Sequence, residues 1–268
     1  MAAADPIEVD ELVRQLTALG VAGGDVVMVH ASLRRLGPVV GGASTVIDAL
    51  DRAVGPQGTI MMVPGAEDDW SWVNDRPEAE RPALLADATP FDALVTPADE
   101  TVGVLAEVMR TTIGTVVSDH PEARFAARGA HAPMLTSDVP WDDFYGIGSP
   151  LERLVTLGGK VLRIGADIDT VTLTHYAENL VPLAHKRRVR RCRRVMGPDG
   201  PRLTWVEAID DNVGIADWPH GDYFAQICND FLSTGMARVA LVGRAQSELF
   251  DAAQFVTFAV EWMTRELA

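Results

Sequence analysis

The chain has 268 residues, 47% of them hydrophobic, enough to bury a sizeable core as one domain or as two joined lobes. Its formal net charge of -15 argues against nucleic-acid binding, which needs clustered Lys and Arg on phosphates, and suits either solubility or a cationic ligand. No apolar run approaches the roughly 18 residues of a membrane span, residues 1–6 lack the basic and apolar regions of a secretory signal, and Cys192 and Cys228 offer neither a disulfide framework nor zinc-ligand spacing, so the expectation is a cytoplasmic protein with no membrane or metal association.

Asp5, Pro6 and Glu8 form a helix-start pattern, with Asp5 as cap and Pro6 at the first helical position. Val9, Leu12, Val13, Leu16 and Leu19 continue at helical spacing until Gly20. Residues 25–31 (DVVMVHA) read as a buried strand, Ser44 as the cap of a helix ending at Gly55, and residues 59–63 as a second buried strand. Strand, helix and strand at this spacing make a βαβ unit, so part of the sheet is expected to be parallel. Residues 65–100 are rich in Asp, Glu, Pro and Trp without periodicity and read as a long acidic insertion; such stretches are functional in compact enzymes or else unordered. A helix is predicted over 99–110, a strand over 160–164 and a helix over 172–183. The basic run 186–194 and residues 202–206 flank Gly197-Pro198-Asp199-Gly200-Pro201, which predicts an antiparallel hairpin. A helix over 222–232, a strand over 237–242 and a helix over 251–267 complete the chain. The predicted class is α/β, a mixed sheet with a βαβ core flanked by helices plus an antiparallel hairpin.

Several motifs then fall in a specific order: Val29-His30-Ala31-Ser32-Leu33 with Gly37 and Gly41-Gly42, residues 58–64 (GTIMMVP), Thr96-Pro97, Val102-Gly103, Ser118-Asp119-His120-Pro121 with Phe125 and Gly129, Ser149-Pro150-Leu151, residues 157–162 (LGGKVL), and His175-Tyr176-Ala177-Glu178. The segment 205–214 adds a Trp strand with an acidic stretch. Over nearly its whole length the chain resembles the aminoglycoside 3-N-acetyltransferases, the antibiotic acetyltransferases that do not share the GNAT fold; no Arg/Gln-x-x-Gly-x-Gly/Ala pyrophosphate loop is present. The resemblance implies a single antibiotic acetyltransferase domain over 1–268 with an acidic insertion at about 65–100. It also implies direct transfer of acetyl from acetyl-CoA to the 3-amino group of a 2-deoxystreptamine ring, conferring resistance, without a covalent acyl-enzyme.

An amine attacking a thioester must be neutral, and its adduct must lose a proton, so a base with a pKa near 7 is useful and histidine is the natural choice. The resemblance assigns that role to His175. A carboxylate that fixes the imidazole tautomer is expected from Asp210 or Asp211, with Glu178, three residues on and on the same helix face, as the local reserve. Ile209 before it and Gly214 four residues after it favour Asp210, and a one-residue slip selects Asp211. Where the family usually shows Asn-Thr-x-Leu-His, residues 171–175 read VTLTH, so Thr172 is kept to cap the helix or to bond the acetyl oxygen as it becomes an oxyanion.

His30, Ser32, Leu33, Arg34, Gly41 and Gly42 lie at a strand-to-helix junction, where backbone N–H groups suit a pantetheine amide or a phosphate. Ser118 and His120 are expected to shape the CoA channel, His120 being the second choice for the base. Ten acidic and two basic side chains between residues 65 and 100 suit a polyamine sugar, with Asp68, Asp69, Trp70, Glu178 and Asp210 as candidate contacts. Seven basic residues in the nine of 186–194 are expected to meet the acidic excess or a CoA phosphate rather than RNA. The partners are thus CoA and an aminoglycoside, with the chain a monomer or homodimer. An acetyltransferase for another small amine and a non-catalytic aminoglycoside-binding protein are the competing readings, while a Ser-His-Asp hydrolase is disfavoured because no Gly-x-Ser-x-Gly elbow is present.

Overall fold

The computed structural model describes residues 5–268. Asp5 and Pro6 precede the first helix instead of starting it. Ile7 is held extended by a bridge to Val39, its N–H donating to the Pro38 carbonyl at 2.9 Å, so helical dihedrals begin later. Helix α1 is Val9–Leu19, with Glu8 at its cap position and no side-chain cap. Strand β1 (Val26–Ala31) follows. Ser32 caps the single turn α2 (Leu33–Leu36), accepting from the Arg35 N–H. Helix α3 (Ala43–Val54) begins before Ser44, with Gly42 at its cap position, and β2 (Thr59–Met62) completes the expected βαβ unit. The insertion contains α4 (Arg81–Leu84) and is followed by α5 (Val104–Thr111), β3 (Val116–Val117), β4 (Ala126–Gly129), α6 (Ala132–Thr136) and α7 (Pro150–Thr156). The helix predicted over 99–110 is divided by Gly103 at φ 82°, which separates a 3-10 turn at Glu100–Val102 from α5. Next come β5 (Lys160–Ile164), α8 (Leu173–Leu180), the hairpin β6 (Arg188–Gly197) and β7 (Gly200–Ile209), α9 (Tyr223–Ser233), β8 (Arg238–Val242), β9 (Ala245–Asp251) and α10 (Ala252–Glu266).

Among the described residues the main sheet has seven strands in the order β3-β4-β2-β1-β5-β9-β8. β1 runs parallel to both β2 and β5, while β4, β9 and β8 pair antiparallel on the two flanks. Parallel strands covered on both faces should be apolar throughout, and every residue of β2 is buried. The period of two sorts β1 between two cores. Val27 and Val29 join Ile60, Leu162 and residues of α1 and α3 on one face; Met28 joins Met61, Val161 and residues of α7 to α10 on the other. Each fully buried Leu or Phe in these cores contributes about 1.5–3 kcal/mol. Because α3 packs on the first face and α7 on the second, successive crossovers diverge at β1. A crevice opens there beyond the carboxyl ends of β1, β2 and β5, where α/β folds place ligands.

The acidic insertion is an ordered wall. Val73, Leu85 and Ala88 pack on Cys192 of β6 and against Trp205 of β7, and Phe91 bridges to Val195. Arg124, fully buried, donates to the carbonyls of Gly65, Ala93, Thr96 and Pro97, gathering both ends of the segment. Burial lowers its pKa to about 10, which leaves the guanidinium charged at neutral pH. The basic run is consumed in the same region: Arg190 pairs with Glu78, Arg188 with Asp143 and Glu207, and Arg194 donates to the Ala88 carbonyl.

Replacing Arg124 with Met leaves those carbonyls without their donor. Chemical denaturation is expected to show a loss of at least about 2 kcal/mol, and limited proteolysis to cut first within residues 65–100.

Candidate active site

The loop after β5 leads into α8, and His175 is the third residue of that helix. Glu178, one turn on, has no solvent exposure, and its Oε2 lies 2.8 Å from His175 Nδ1. A carboxylate only accepts, so Nδ1 carries the proton and Nε2 is left as the basic nitrogen. The second oxygen, Oε1, accepts from the Tyr223 hydroxyl at the start of α9. That hydroxyl oxygen in turn accepts the Ile215 N–H at 3.0 Å. Gly214, at φ 89°, is required here, because a Cβ would stand 2.5 Å from the Tyr223 oxygen. The imidazole is fixed in its plane by Tyr145, stacked at 5.0 Å and 9°, and by the edge of Phe224 at 4.7 Å.

Burial disfavours the charged imidazolium, but the hydrogen bond and charge of Glu178, with a smaller contribution from Asp211, outweigh it and raise the His175 pKa above the ordinary histidine value. Burial and the neighbouring Glu178 also push the Tyr223 hydroxyl upward, so it stays a donor.

Two cavities meet at this imidazole. The first, about 620 Å³, sits in the crevice beyond β1, β2 and β5 and is lined by His30, Ser32, Leu33 and Arg34, by the amino end of α5, and by Thr172. The second, about 450 Å³, is lined by Asp211, Asp222 and Tyr223. Asp169, His175 and Phe224 belong to both walls. His30 is paired in register with Arg163 across β1 and β5; burial and that neighbouring charge lower its pKa to about 4, so it is neutral and no rival as a base at pH 7.

The structure thus separates the predicted site residues into groups. Glu178, not Asp210 or Asp211, bonds the imidazole. Asp210 turns its carboxylate onto the N–H groups of Asn212 and Val213 and serves the turn after β7. Asp211 reaches the second cavity and pairs with Arg191 at 2.6 Å. Thr172 lines the first cavity and makes no side-chain cap bond. Gly41 and Gly42 form an exposed turn into α3 and stand outside that cavity's lining. Ser118 and His120 are buried elsewhere: Ser118 bonds Ala123 and Phe125, while His120 Nδ1 accepts from the N–H groups of Glu122 and Ala123 and Nε2 donates to the Trp141 carbonyl. Asp68, Asp69 and Trp70 line a separate cavity against the hairpin, and Asp68 is held by Arg193.

Tyr145, Tyr223, Phe224, Asp169 and the amino end of α5 were not singled out in the sequence. Only Val102-Gly103 carried a signal, as a motif whose Gly starts α5.

The family model for aminoglycoside 3-N-acetyltransferase matches residues 28–264. The chain belongs to this family. Among its relatives, the aminoglycoside N(3)-acetyltransferase VII of Streptomyces paromomycinus is 40% identical over 270 residues, covering 98% of this chain and 93% of the relative. The solved structure of AAC-IIIb in binary complex with CoASH superposes with a TM-score of 0.93 at 38% identity, covering 98% of each chain. The room-temperature neutron/X-ray structure of sisomicin-bound AAC-VIa gives a TM-score of 0.91 at 37% identity, covering 98% of this chain and all (100%) of that one. Membership makes this aminoglycoside 3-N-acetyltransferase family protein an acyltransferase with acetyl-CoA as donor.

The electrostatic balance at His175 has a direct readout. An NMR titration of its ring is expected to give a pKa above 6.5. In Glu178→Gln, where burial is no longer opposed by the carboxylate, that pKa should fall; an unchanged value would contradict the assignment of Glu178 as the dominant partner.

Proposed function

We propose that the protein transfers acetyl directly from acetyl-CoA to the 3-amino group of an aminoglycoside, with His175 as general base. The observation that carries this reading is the meeting of the two cavities at one oriented imidazole. The donor thioester approaches from the β-strand crevice and the amine from the acidic side, so both substrates reach Nε2 together. His175 takes a proton from the attacking nitrogen, the tetrahedral adduct expels the CoA thiolate, and the proton taken by His175 is available to that sulfur. Glu178 and Tyr223 keep Nδ1 protonated and stabilise the imidazolium. Thr172, on the wall of the first cavity, would donate to the thioester oxygen as it gains charge, and the N–H groups at the amino end of α5 and at Leu33 and Arg34 suit the amide and phosphate groups of CoA. Direct transfer is favoured because no Ser or Cys among the described residues is hydrogen-bonded to His175; Cys192 and Cys228 are both buried apart from it.

The acceptor class follows from charge. Asp169, Asp211 and Asp222 surround the second cavity, and the whole chain carries -15, which draws a polycation toward it. The CoASH complex of AAC-IIIb and the sisomicin complex of AAC-VIa support the two substrate classes, a CoA donor and an aminoglycoside acceptor. A role in antibiotic resistance fits that acceptor.

His175→Ala should cut kcat by at least about a hundredfold while acetyl-CoA binding is retained. His120→Ala should lower thermal stability with a smaller effect on kcat; the reverse order would refute the base assignment. Acetylating one aminoglycoside and locating the modified nitrogen by NMR tests the regiochemistry, with the 3-amino group as the expected position.

A further inference from the structure

Asp211 stands on the wall of the acceptor-side cavity with Oδ1 bound to Arg191 Nη2 at 2.6 Å; its Oδ2 takes no hydrogen bond from the described residues. Arg191 is shared. Its Nη1 lies 3.3 Å from Glu122 Oε2, the other Glu122 oxygen holds Arg193, and Arg193 ends on Asp68. The signs alternate along this row, with three carboxylates answering two guanidiniums. The three inner members are largely buried, their side chains 8% exposed at Glu122, 13% at Arg191 and 17% at Arg193, so the charges act on one another with little screening.

We propose that Glu122 is a positioning residue that sets affinity for the cationic acceptor. By engaging both arginines it leaves Asp211 only partly neutralised, and the surplus negative charge is presented to the cavity beside His175. Without Glu122, Arg191 turns wholly onto Asp211 and cancels it. This inference rests on the acceptor cavity proposed above, but Glu122 touches neither that cavity nor the imidazole. Its backbone is fixed independently of its charge, because its own N–H and that of Ala123 are bound by His120 Nδ1 at 3.2 and 3.1 Å. An isosteric amide therefore changes the charge without releasing the turn.

The test is steady-state kinetics of Glu122→Gln with a gentamicin-type acceptor and acetyl-CoA. At an ionic strength of about 0.05 M the acceptor KM should rise about tenfold, with kcat and the acetyl-CoA KM within about twofold of wild type. Raising the ionic strength to about 0.5 M should narrow the gap, since a lost attraction between charges matters less when screened. Asp68→Asn, at the exposed end of the row, frees Arg193 to draw on Glu122 and should raise the same KM about threefold in an enzyme of wild-type thermal stability. A folded Glu122→Gln enzyme with unchanged acceptor KM, or with a kcat loss and no KM change, overturns the proposal. Should that variant fail to fold, an unchanged acceptor KM in Asp68→Asn overturns it. Wild-type protein that turns over no aminoglycoside refutes the proposed acceptor and this role together, whereas wild-type turnover beside unaltered variants refutes the role of Glu122 alone.

Discussion

A carboxylate with no access to water must be answered on every side, and Glu178 imposes that demand on the segments around the second cavity. One oxygen is satisfied by the imidazole of its own helix and the other by a phenol from α9. The phenol is in turn tied to the turn after β7, whose Gly214 exists to let it approach. Helix α8 and, some forty residues later, the turn after β7 and the start of α9 are thereby locked to one charge. Removing any of them would leave a buried ion short of a donor, so the orientation of the proposed base is enforced by the cost of an unpaired charge rather than by packing alone.

A second constraint is the turn between β3 and β4. Ser118 and His120, which the sequence suggested as channel residues, spend their polar atoms closing it. Closed, it projects Glu122 toward the hairpin arginines and Arg124 toward the insertion. The hairpin and the insertion are thus organised from one loop, and the basic run that in isolation resembles a nucleic-acid patch is engaged with acids and carbonyls of the same chain.

The fold was legible wherever period and punctuation agreed. The βαβ core, the hairpin around Gly197 to Pro201 and the closing helix follow from apolar runs bounded by Gly, Pro and capping residues. β3 was missed because it is two residues long, β4 because Ala126–Gly129 lacks the run of large apolar residues that marks β2, and β9 because Ala245–Asp251 mixes polar residues through a buried strand. At the site, the sequence offers Glu178 only as the local reserve beside Asp210 and Asp211, although its place one helical turn from His175 is what brings the two together. Pairing His175 with Asp210 or Asp211 failed because the turn after β7 commits the first carboxylate to its own N–H groups and Arg191 takes the second. Tyr223 and Tyr145 were invisible for a related reason: their partners are dozens of residues away, and nothing local marks a buried phenol as a hydrogen-bond donor rather than as core.

All four hydrogen bonds from Arg124 to the acidic insertion go to main-chain oxygens, and its guanidinium also stands over the Phe91 ring. Those oxygens are the same whatever side chains the segment carries. Apart from the Phe91 ring, such an anchor asks little of the segment's side chains, so the wall beside the hairpin can differ in charge and shape while its path through space is preserved. The fold in this way separates the proposed proton-handling centre, built around one buried carboxylate, from a neighbouring surface whose side chains its anchor leaves open.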